Sequence, residues 1–353
     1  MARPEGECDM KILVVGDSFF PSEAFRLGMR ALSDEHSMEF IEVTREPAFE
    51  PSTESEKRLR EFEGTPAQVT SALTNHDVLV VHGAPVSDEV LRASPNLGLV
   101  CCARGGPANV DVESARSLGI RITTAPGKNA PSVADLTLGF AVMLVRGLHK
   151  AETFLRTGNR MTTNFDGAQF FGLDLVGLTL GLIGFGRVGR EVCTRALAFG
   201  MEVLAYDPNV NPEEMTALGA KPATRESVVG RADIVSLHAR STSDNRHMVD
   251  GALLSEMRPG AFFINTAREA LVEEKALLEA LETGHLAGAA LDVFEPDGAV
   301  NDALVADARV LEKLVVVPHV GGATRQTLQR GAEMVAADIE RFGRGDELLY
   351  GVA

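Results

Sequence analysis

The chain has 353 residues, of which 45% are apolar and 24% charged, and its net charge is −16. A single hydrophobic core rarely serves a chain of this length, so we expect two domains. The negative charge argues against nonspecific binding to nucleic acid or to an anionic membrane. It does not exclude a small anionic substrate, because a basic pocket acts locally.

The cysteines show no spacing that is typical of a metal or redox site. Cys101 and Cys102 are adjacent in an apolar run, and they form no CxxC pattern with Cys8 or Cys193. We therefore expect buried structural thiols and no metal. No apolar signal region opens the chain, and the longest apolar stretch, 136–145, is too short to span a bilayer. These observations predict a cytoplasmic protein.

The first third of the chain alternates predicted strands with predicted helices. The strands are expected at 11–16, 38–43, 77–82, 97–102 and 120–123. The helices are expected at 21–32, at 87–93 with Ser87 as its cap, and at 111–118. The charged, proline-containing segment 45–63 predicts a loop or an exposed helix. This alternation predicts a parallel sheet covered by helices.

A cluster of Pro, Gly and Asn at 125–131 predicts a hinge after this first lobe. One long helical run is expected from Ser132 to about Thr157. A connection rich in Gly, Asn and Phe then spans 158–177. Its apolar side chains are expected to pack either on another subunit or on their own domain, and they are Phe165, Phe170 and Phe171.

A glycine motif organises the second half of the chain. A strand pattern begins at Leu178 and ends at a glycine motif, which consists of Gly184, Gly186 and Gly189. A helix is predicted at 187–199. The first glycine allows a tight turn, the second lets a pyrophosphate approach the backbone, and the third permits close helix–strand packing. The helix N-terminus presents free N–H groups to the phosphates. The plainer alternative is a βαβ unit without a ligand.

An acidic residue ends the next predicted strand, Val203 to Asp207, 18 positions after Gly189. An aspartate at this place can accept hydrogen bonds from the adenosine ribose, and it would repel a 2′-phosphate. The position of Asp207 therefore favours NAD over NADP.

Further strands are predicted at 233–238, 261–265, 287–294 and 314–317, with helices at 251–257, 273–282 and 324–342. Polar residues follow these strands at the positions of Arg268, Asp292, Asp297 and His319. Arginine can bind a substrate carboxylate through two hydrogen bonds, and histidine can transfer a proton near neutral pH. Each residue alone has a simpler role, as a surface ion pair, a cap or a turn residue. Together, after a dinucleotide motif, they predict reduction of a 2-oxo acid, in a cleft between lobes.

With these residues, the sequence resembles the D-isomer-specific 2-hydroxyacid dehydrogenase family. The resemblance covers most of the chain from about Leu97 to Thr324. The matching blocks are 104–111, 126–135, 184–189, 237–238, 265–268, 291–294 and 318–324. The resemblance implies two Rossmann-like lobes with parallel sheets. An NAD-binding lobe, 127–320, is inserted into a discontinuous, flavodoxin-like substrate lobe, 1–126 and 321–353. It also implies a homodimer built around the region 139–177.

The resemblance implies a role for each matching residue. Arg268 would bind the carboxylate and carbonyl of a small 2-hydroxy or 2-oxo acid, and His319 would be the general acid/base, with Asp297 as its candidate partner. Backbone N–H groups of Gly105 and Gly106 would contact the substrate. Residues that would contact NAD are Gly184, Gly186, Arg187, Val188, Gly189, Asp207, His238, Thr266, Ala267, Asp292 and Gly321.

The chain departs from the family pattern at several of these positions. Asp297 stands where the family usually has a Glu, with Glu295 nearby but out of register, and Glu269 stands in place of a Gly. Arg104 replaces a small residue, from which we hypothesise that it contacts a second anionic group such as a phosphate or carboxylate. The alternatives are a sensor or corepressor-like protein that binds NAD(H) with little turnover, and a formate dehydrogenase. The resemblance disfavours a formate dehydrogenase, because that subclass pairs its catalytic histidine with a Gln and no Gln lies between Asp292 and His319.

Overall fold

A computed structural model describes residues 9–306 and 312–352, and these residues form two compact units. Unit 1 comprises the chain up to Lys128 together with the chain from Ala323 onward, and unit 2 comprises Asn129–Gly322. The boundaries that we expected after 126 and 320 lie two residues before these. Cys8 lies outside the described residues.

The described strands, in chain order, are β1 Lys11–Gly16, β2 Ser37–Glu42, β3 Val78–Val81, β4 Leu99–Cys102, β5 Arg121–Thr124, β6 Thr179–Ile183, β7 Glu202–Tyr206, β8 Lys221–Pro222, β9 Ile234–Leu237, β10 Ala261–Asn265, β11 Leu286–Leu291 and β12 Leu314–Val316. The described α-helices are α1 Ser22–Gly28, α2 Glu54–Arg58, α3 Pro66–Thr70, α4 Asp88–Ala93, α5 Val112–Ser117, α6 Ala130–Val145, α7 Leu148–Arg156, α8 Arg187–Ala198, α9 Pro212–Ala217, α10 Arg225–Arg231, α11 Gly251–Glu256, α12 Glu274–Glu282, α13 Ala299–Ala306 and α14 Arg325–Arg344.

Unit 1 is built on a parallel sheet with the strand order β2-β1-β3-β4-β5. Its central strands are continuous apolar runs because both faces of the sheet are covered. Neighbouring residues such as Leu13 and Val14 accordingly belong to different core clusters, one on each face. Cys101 and Cys102 lie in β4 as buried free thiols. Burial raises the pKa of Cys102 to about 11, which leaves it protonated and unreactive at neutral pH.

Unit 2 is built on a second parallel sheet, with the order β12-β11-β10-β9-β6-β7-β8. Leu182 and Ile183 of β6 belong to core clusters on opposite faces. The strand order reverses between β6 and β9, and ligands in such sheets bind outside the carboxyl ends of the strands at this point. Two parallel sheets confirm the predicted α/β fold with two Rossmann-like lobes.

Several local predictions were wrong in detail. The helical run expected at 132–157 is two helices, α6 and α7, bent by 69°, because Gly147 adopts a φ of 58° between them. The helix expected at 21–32 ends at Gly28 and continues as a 3₁₀ turn. Ser87 occupies the N-cap position of α4, but its hydroxyl makes no capping bond. The Asp88 N–H instead donates to Ser55 Oγ at 2.7 Å.

Within the described residues, no single helix has the length and apolar composition needed to cross a membrane. The bent pair α6 and α7 meets those two criteria only when its helices are taken together.

Candidate active site

Six residues that the sequence analysis selected in the second half of the chain, one glycine and five polar residues, lie at one edge of the unit 2 sheet. Each follows the carboxyl end of a different strand, and parallel strands bring these ends together. After β6, β7, β9, β10, β11 and β12 come, respectively, Gly184, Asp207, His238, Arg268, Asp292 and His319.

The glycine turn between β6 and α8 has the geometry of a dinucleotide cradle. Gly184 has a φ of 101°, and a Cβ there would lie 2.5 Å from the carbonyl carbon of His238. A Cβ at Gly189 would lie 2.4 Å from the Gly184 oxygen, so α8 packs directly on the turn. A Cβ at Gly186, by contrast, would meet no atom within 4 Å. The turn is thus rigid where it packs and open where a pyrophosphate would approach, beside Arg187 and Val188 at the start of α8.

Asp207 contacts the same turn. Its Oδ2 accepts a hydrogen bond of 2.8 Å from the Phe185 N–H, and its Oδ1 accepts one of 2.9 Å from the Asn209 N–H. The carboxylate is therefore fixed beside the glycine loop. The sequence analysis did not anticipate this bracing of the loop, and the contact of Asp207 with the adenosine ribose stays a prediction.

His238 follows β9 as a neutral imidazole. Its Nε2 lies 2.9 Å from Ser236 Oγ, and its Nδ1 lies 3.5 Å from Thr266 Oγ1. Burial lowers the pKa of His238 to about 3, because its surroundings disfavour the cation. His238 can therefore take part in hydrogen bonds at this edge, but it supplies no positive charge at neutral pH. Thr266 Oγ1 also lies 3.2 Å from Thr137 Oγ1 of α6.

Asn265 shapes the loop that carries Ala267 and Arg268. It is buried at the end of β10, where its Oδ1 accepts from the Ala267 N–H at 2.9 Å and its Nδ2 donates to the Arg268 carbonyl at 3.1 Å. The Arg268 side chain is exposed and donates to the Ala267 carbonyl at 2.7 Å. It forms no ion pair with any described carboxylate, so its charge is available to a ligand. Sequence reasoning missed Asn265, although a polar residue that ends an apolar strand could have indicated it.

His319 lies in an unusual backbone conformation that Asp292 supports. Its φ is 55°, a region that residues other than glycine rarely adopt. Asp292 is 2% exposed, and its carboxylate accepts from the N–H groups of Val320 at 2.7 Å and of Gly321 at 3.0 Å. Burial raises the pKa of Asp292, although these two N–H groups and the nearby His319 and Arg268 act in the opposite direction. The imidazole of His319 is exposed at this edge.

The acidic loop after β11 does not place a carboxylate in an ion pair with His319 in the described part of the chain. Glu295 Oε1 instead pairs with Arg246 at 3.2 Å, and Asp297 is exposed without an ion pair to any described residue. Buried Glu274 of α12 fixes this loop, since its carboxylate accepts from the N–H groups of Glu295 at 2.6 Å and Val300 at 2.9 Å. Glu274 was not predicted. Asp297 as the partner of His319 stays a prediction.

The remaining predicted substrate residues, Arg104, Gly105 and Gly106, lie in unit 1 directly after β4. Arg104 forms an ion pair with Glu61. A Cβ added at either glycine would meet nothing within 4 Å, so the backbone of this loop is open to a ligand. Among the described residues, no group of three or more His, Cys, Asp or Glu side chains could hold a metal ion.

Comparisons with known proteins identify the family. Residues 138–321 match the family model described as D-isomer specific 2-hydroxyacid dehydrogenase, NAD binding domain. A glyoxylate reductase of Thermococcus litoralis is 32% identical over 87% of this chain and 88% of its own length. A D-3-phosphoglycerate dehydrogenase of Methanocaldococcus jannaschii is 34% identical over 80% of this chain, which spans 52% of that longer protein.

A solved structure adds a neighbour whose cofactor is known. The D-lactate dehydrogenase of Aquifex aeolicus, crystallised with NAD and lactic acid, is 26% identical, covers 95% of this chain and 96% of its own, and has a TM-score of 0.68. The family model, which describes an NAD-binding domain, and this neighbour solved with NAD agree on NAD as the cofactor. The chain belongs to the D-isomer-specific 2-hydroxyacid dehydrogenase family, the NAD-dependent oxidoreductases that act on 2-hydroxy acids.

Proposed function

We propose that the protein interconverts a D-2-hydroxy acid and its 2-oxo acid, with a substrate of the phosphoglycerate or hydroxypyruvate type. One observation carries this proposal. The imidazole of His319 is exposed, and the backbone of His319 is held in a left-handed conformation by the turn that Asp292 braces. His319 lies at the same sheet edge as the open glycine cradle and as Arg268, which pairs with no described carboxylate.

The cofactor residues of the proposal are those at this edge. Bound NAD supplies the hydride acceptor, and NADH supplies the donor in the reverse direction. The backbone at Gly184, Gly186 and Gly189, with Arg187 and Val188, would hold the pyrophosphate. Asp207 would hold the adenosine ribose. Asp292 would bind the nicotinamide carboxamide. His238, Thr266, Ala267 and Gly321 would make further contacts to NAD.

The protein side chains handle the charge and the proton of the reaction. Arg268 would bind the substrate carboxylate through two parallel hydrogen bonds and polarise the adjacent carbonyl. His319 would donate a proton to the substrate oxygen during reduction and remove it during oxidation. Asp297 would partner His319 and stabilise the imidazolium. Gly105 and Gly106 would donate backbone N–H groups to the substrate, with Arg104 beside them.

The test is NADH oxidation with a panel of 2-oxo acids, comparing His319→Asn with His247→Asn. His247 is a matched control because it too has a left-handed backbone, with a φ of 52°, and asparagine tolerates that conformation. We expect His319→Asn to lose about 10²- to 10⁴-fold in kcat, the usual contribution of a general acid/base, and His247→Asn to stay near wild type. Equal losses in both variants would contradict the role of His319.

The same assay separates the alternative function. Tight NADH binding without turnover on any 2-oxo acid would favour a sensor that binds NAD(H). The observation behind this alternative is that His319 has no ion-pair partner among the described carboxylates. Turnover that depends on His319 would exclude it.

We also propose that the protein is a homodimer built around the region 139–177. Helix α7 has no buried residue, and Phe165 and Phe171 are 85% and 91% exposed. Phe170 by contrast packs on Phe154, with ring centroids 5.5 Å apart. So much exposed aromatic surface in one segment is typical of an interface, and a twofold-symmetric copy of the same chain is the commonest partner.

Light scattering after size exclusion tests the dimer. We expect a dimer mass for the wild type and a monomer for the double variant Phe165→Ser, Phe171→Ser. Leu27→Ser is the control, because Leu27 is an exposed apolar residue of unit 1 at 71% exposure. A monomeric wild type would refute the proposal.

A cytoplasmic location completes the proposal. It is supported by Cys101, Cys102 and Cys193, which are buried free thiols rather than disulfides. Cell fractionation with detection of the native chain tests it, and recovery in the membrane or secreted fraction would contradict it.

A further inference from the structure

Unit 1 carries a surface cavity beside strand β5, and none of its lining residues has a role in the proposed reaction. Its volume is about 510 Å³. Ile120 and Ile122, which are 8% and 4% exposed, form part of its wall. The other apolar side chains of the lining are Val112, Leu348 and Val352. A volume of this size with a mainly apolar lining is typical of a site for a small molecule.

The cavity lies at the opposite edge of the unit 1 sheet from the predicted substrate loop. Strand β5 runs parallel to β4, with Arg121 beside Leu99. The cavity wall at 119–122 therefore lies at the edge where these two strands begin. Residues 104–106, by contrast, follow the end of β4. A ligand bound in the cavity would not occupy the place proposed for the 2-oxo acid.

The outer wall of the cavity is a segment that returns to β5 after α14. Residues 350–352 of this segment run antiparallel to β5. The Val352 N–H donates to the Ile122 carbonyl at 2.8 Å. The Thr124 N–H donates to the Tyr350 carbonyl at 3.2 Å. Pairing of this kind covers the open edge of a sheet, so backbone hydrogen bonds hold the wall in place.

A buried aspartate of α14 fixes the same segment. Asp338 is 0% exposed, and its carboxylate accepts hydrogen bonds from the N–H groups of Leu349 at 2.6 Å and Tyr350 at 3.1 Å. The hydroxyl of Thr123 in β5 donates to the same carboxylate. The cavity is therefore formed before any ligand arrives, which lowers the entropic cost of binding.

Arg121 supplies a guanidinium group that pairs with no carboxylate in the described part of the chain. Its central carbon lies 4.3 Å from the centroid of the Phe342 ring, and its Nη1 donates to the Asp346 carbonyl at 3.4 Å. These two contacts orient the guanidinium and leave most of its five N–H donors for a ligand. Arg116 and Glu347 also line the cavity, so two arginines and one glutamate give the lining an excess of positive charge.

We propose that this cavity binds a small carboxylate with an apolar body. Arg121 holds the carboxylate, because a guanidinium matches this group through two parallel hydrogen bonds. The apolar lining holds the hydrocarbon part, which gains free energy by leaving water. This site goes beyond the proposed reaction, since its ligand needs neither a 2-oxo group nor NAD.

The experiment is an NMR titration of the full chain in the presence of NADH, with hexanoate and hexanamide as probes. The two probes have the same apolar chain and nearly the same shape, and they differ in charge. We expect hexanoate to bind about 10- to 100-fold more tightly than hexanamide, the range for a hydrogen bond to a charged group. Bound hexanoate should also raise the melting temperature, because it binds the folded chain.

Variants assign this preference to the cavity. Arg121→Met should bring the two dissociation constants together, and Glu347→Gln should tighten hexanoate about twofold, the scale of an exposed charge interaction. Val112→Phe should weaken both probes, because the larger ring would fill part of the apolar space. Arg26→Met is the matched control, since Arg26 also lies over a ring of unit 1, that of Phe40 at 3.9 Å, but does not line the cavity. Melting temperatures establish that each variant is folded.

Equal binding of hexanoate and hexanamide to the wild type would overturn the proposal. A hexanoate preference that survives in Arg121→Met, or unchanged binding of both probes to Val112→Phe, would overturn it as well. So would a preference that disappears in Arg268→Met, because that result would place the carboxylate in the candidate active site. The proposed dehydrogenase activity is tested separately by NADH oxidation, and neither result depends on the other.

Discussion

The carboxylate of Asp292 holds the backbone of Gly321, with Oδ1 and Oδ2 at 3.1 and 3.0 Å from the Gly321 nitrogen. A Cβ at this glycine would lie 2.6 Å from Asp292 Oδ2, so only glycine allows such an approach. The end of β11 thereby fixes the turn after β12, in which His319 lies. The aspartate serves the geometry of the proposed acid/base, in addition to the cofactor contact we assign to it.

Replacing Gly321 should therefore damage the site through this turn. We expect Gly321→Ala to cost about 1–3 kcal/mol of unfolding free energy, as overpacking does, and to lower kcat by moving His319. Gly322→Ala is the matched control, because its Cβ would lie 3.4 Å from Asn129 Nδ2, near ordinary contact distance. Denaturant unfolding and steady-state kinetics measure both effects. If the two alanines behave alike, the Asp292–Gly321 contact does not position His319.

The glycines of the cradle should separate stability from cofactor binding. Gly189→Ala places a Cβ 2.4 Å from the Gly184 oxygen, so we expect a loss of about 1–3 kcal/mol of stability even without cofactor. Gly186→Ala meets no atom of the protein. It should leave the fold largely intact but weaken NADH about tenfold or more, since its methyl group would occupy the space of the pyrophosphate.

Thermal melting with and without NADH, together with a fluorescence titration of NADH, distinguishes the two glycine variants. A Gly186→Ala protein that binds NADH as tightly as wild type would show that the pyrophosphate does not approach the backbone there.

The placement of the candidate side chains at this sheet edge could be predicted from sequence, because each comes shortly after an apolar strand run. Arg268, Asp292 and His319 all lie within three residues of the end of a strand. The parallel sheets and the glycine turn follow from the same local patterns, whereas the order of the strands within each sheet was not predicted. The break between α6 and α7 was missed, since a single Gly147 inside a helical pattern does not reveal whether it adopts a positive φ.

The residues that brace the site could not be predicted, because their partners are distant in sequence. Glu274 holds the backbone of Val300 from 26 residues away, and nothing in a helix pattern distinguishes it from a solvated glutamate. In the sequence, nothing distinguishes Lys128 from an exposed lysine of the predicted hinge. Its burial depends on Phe20 and Gly331, which come from opposite ends of the chain.

The contacts of the acidic loop after β11 distinguish its two carboxylates, Glu295 and Asp297, as candidate partners for His319. Glu295 is engaged with Arg246 at 3.2 Å, whereas Asp297 pairs with no described cation and is free to interact with an imidazolium. We expect Asp297→Asn to lower kcat about tenfold or more, within the range for proton-transfer catalysis. Glu295→Gln should stay within about twofold, in the range of a surface ion pair. Rates at saturating NADH measure both, and the reverse order would assign Glu295 as the partner.

Lys128 should make the stability of the fold depend on pH in a specific window. Burial lowers its pKa from 10.5 to about 8 and the nearby Arg104 lowers it further, whereas the carboxylate of Asp17 acts in the opposite direction. The unfolded chain therefore binds more protons than the folded chain between pH 8 and 10.5, so this group makes stability rise with pH across that window.

Below pH 8 the buried charge of Lys128 lowers the free energy of unfolding by its full amount, about 3 kcal/mol for a pKa shift of this size. Lys128→Met should consequently have a higher free energy of unfolding than wild type at pH 7. The gain should be at most about 3 kcal/mol, because the variant also loses the cation–π contact with Phe20. The difference should shrink as pH rises toward 10.5. Urea unfolding of both proteins from pH 7 to 10.5 measures it, with Lys57→Met as the exposed control. A constant difference across this range would show that Lys128 is not the group that titrates.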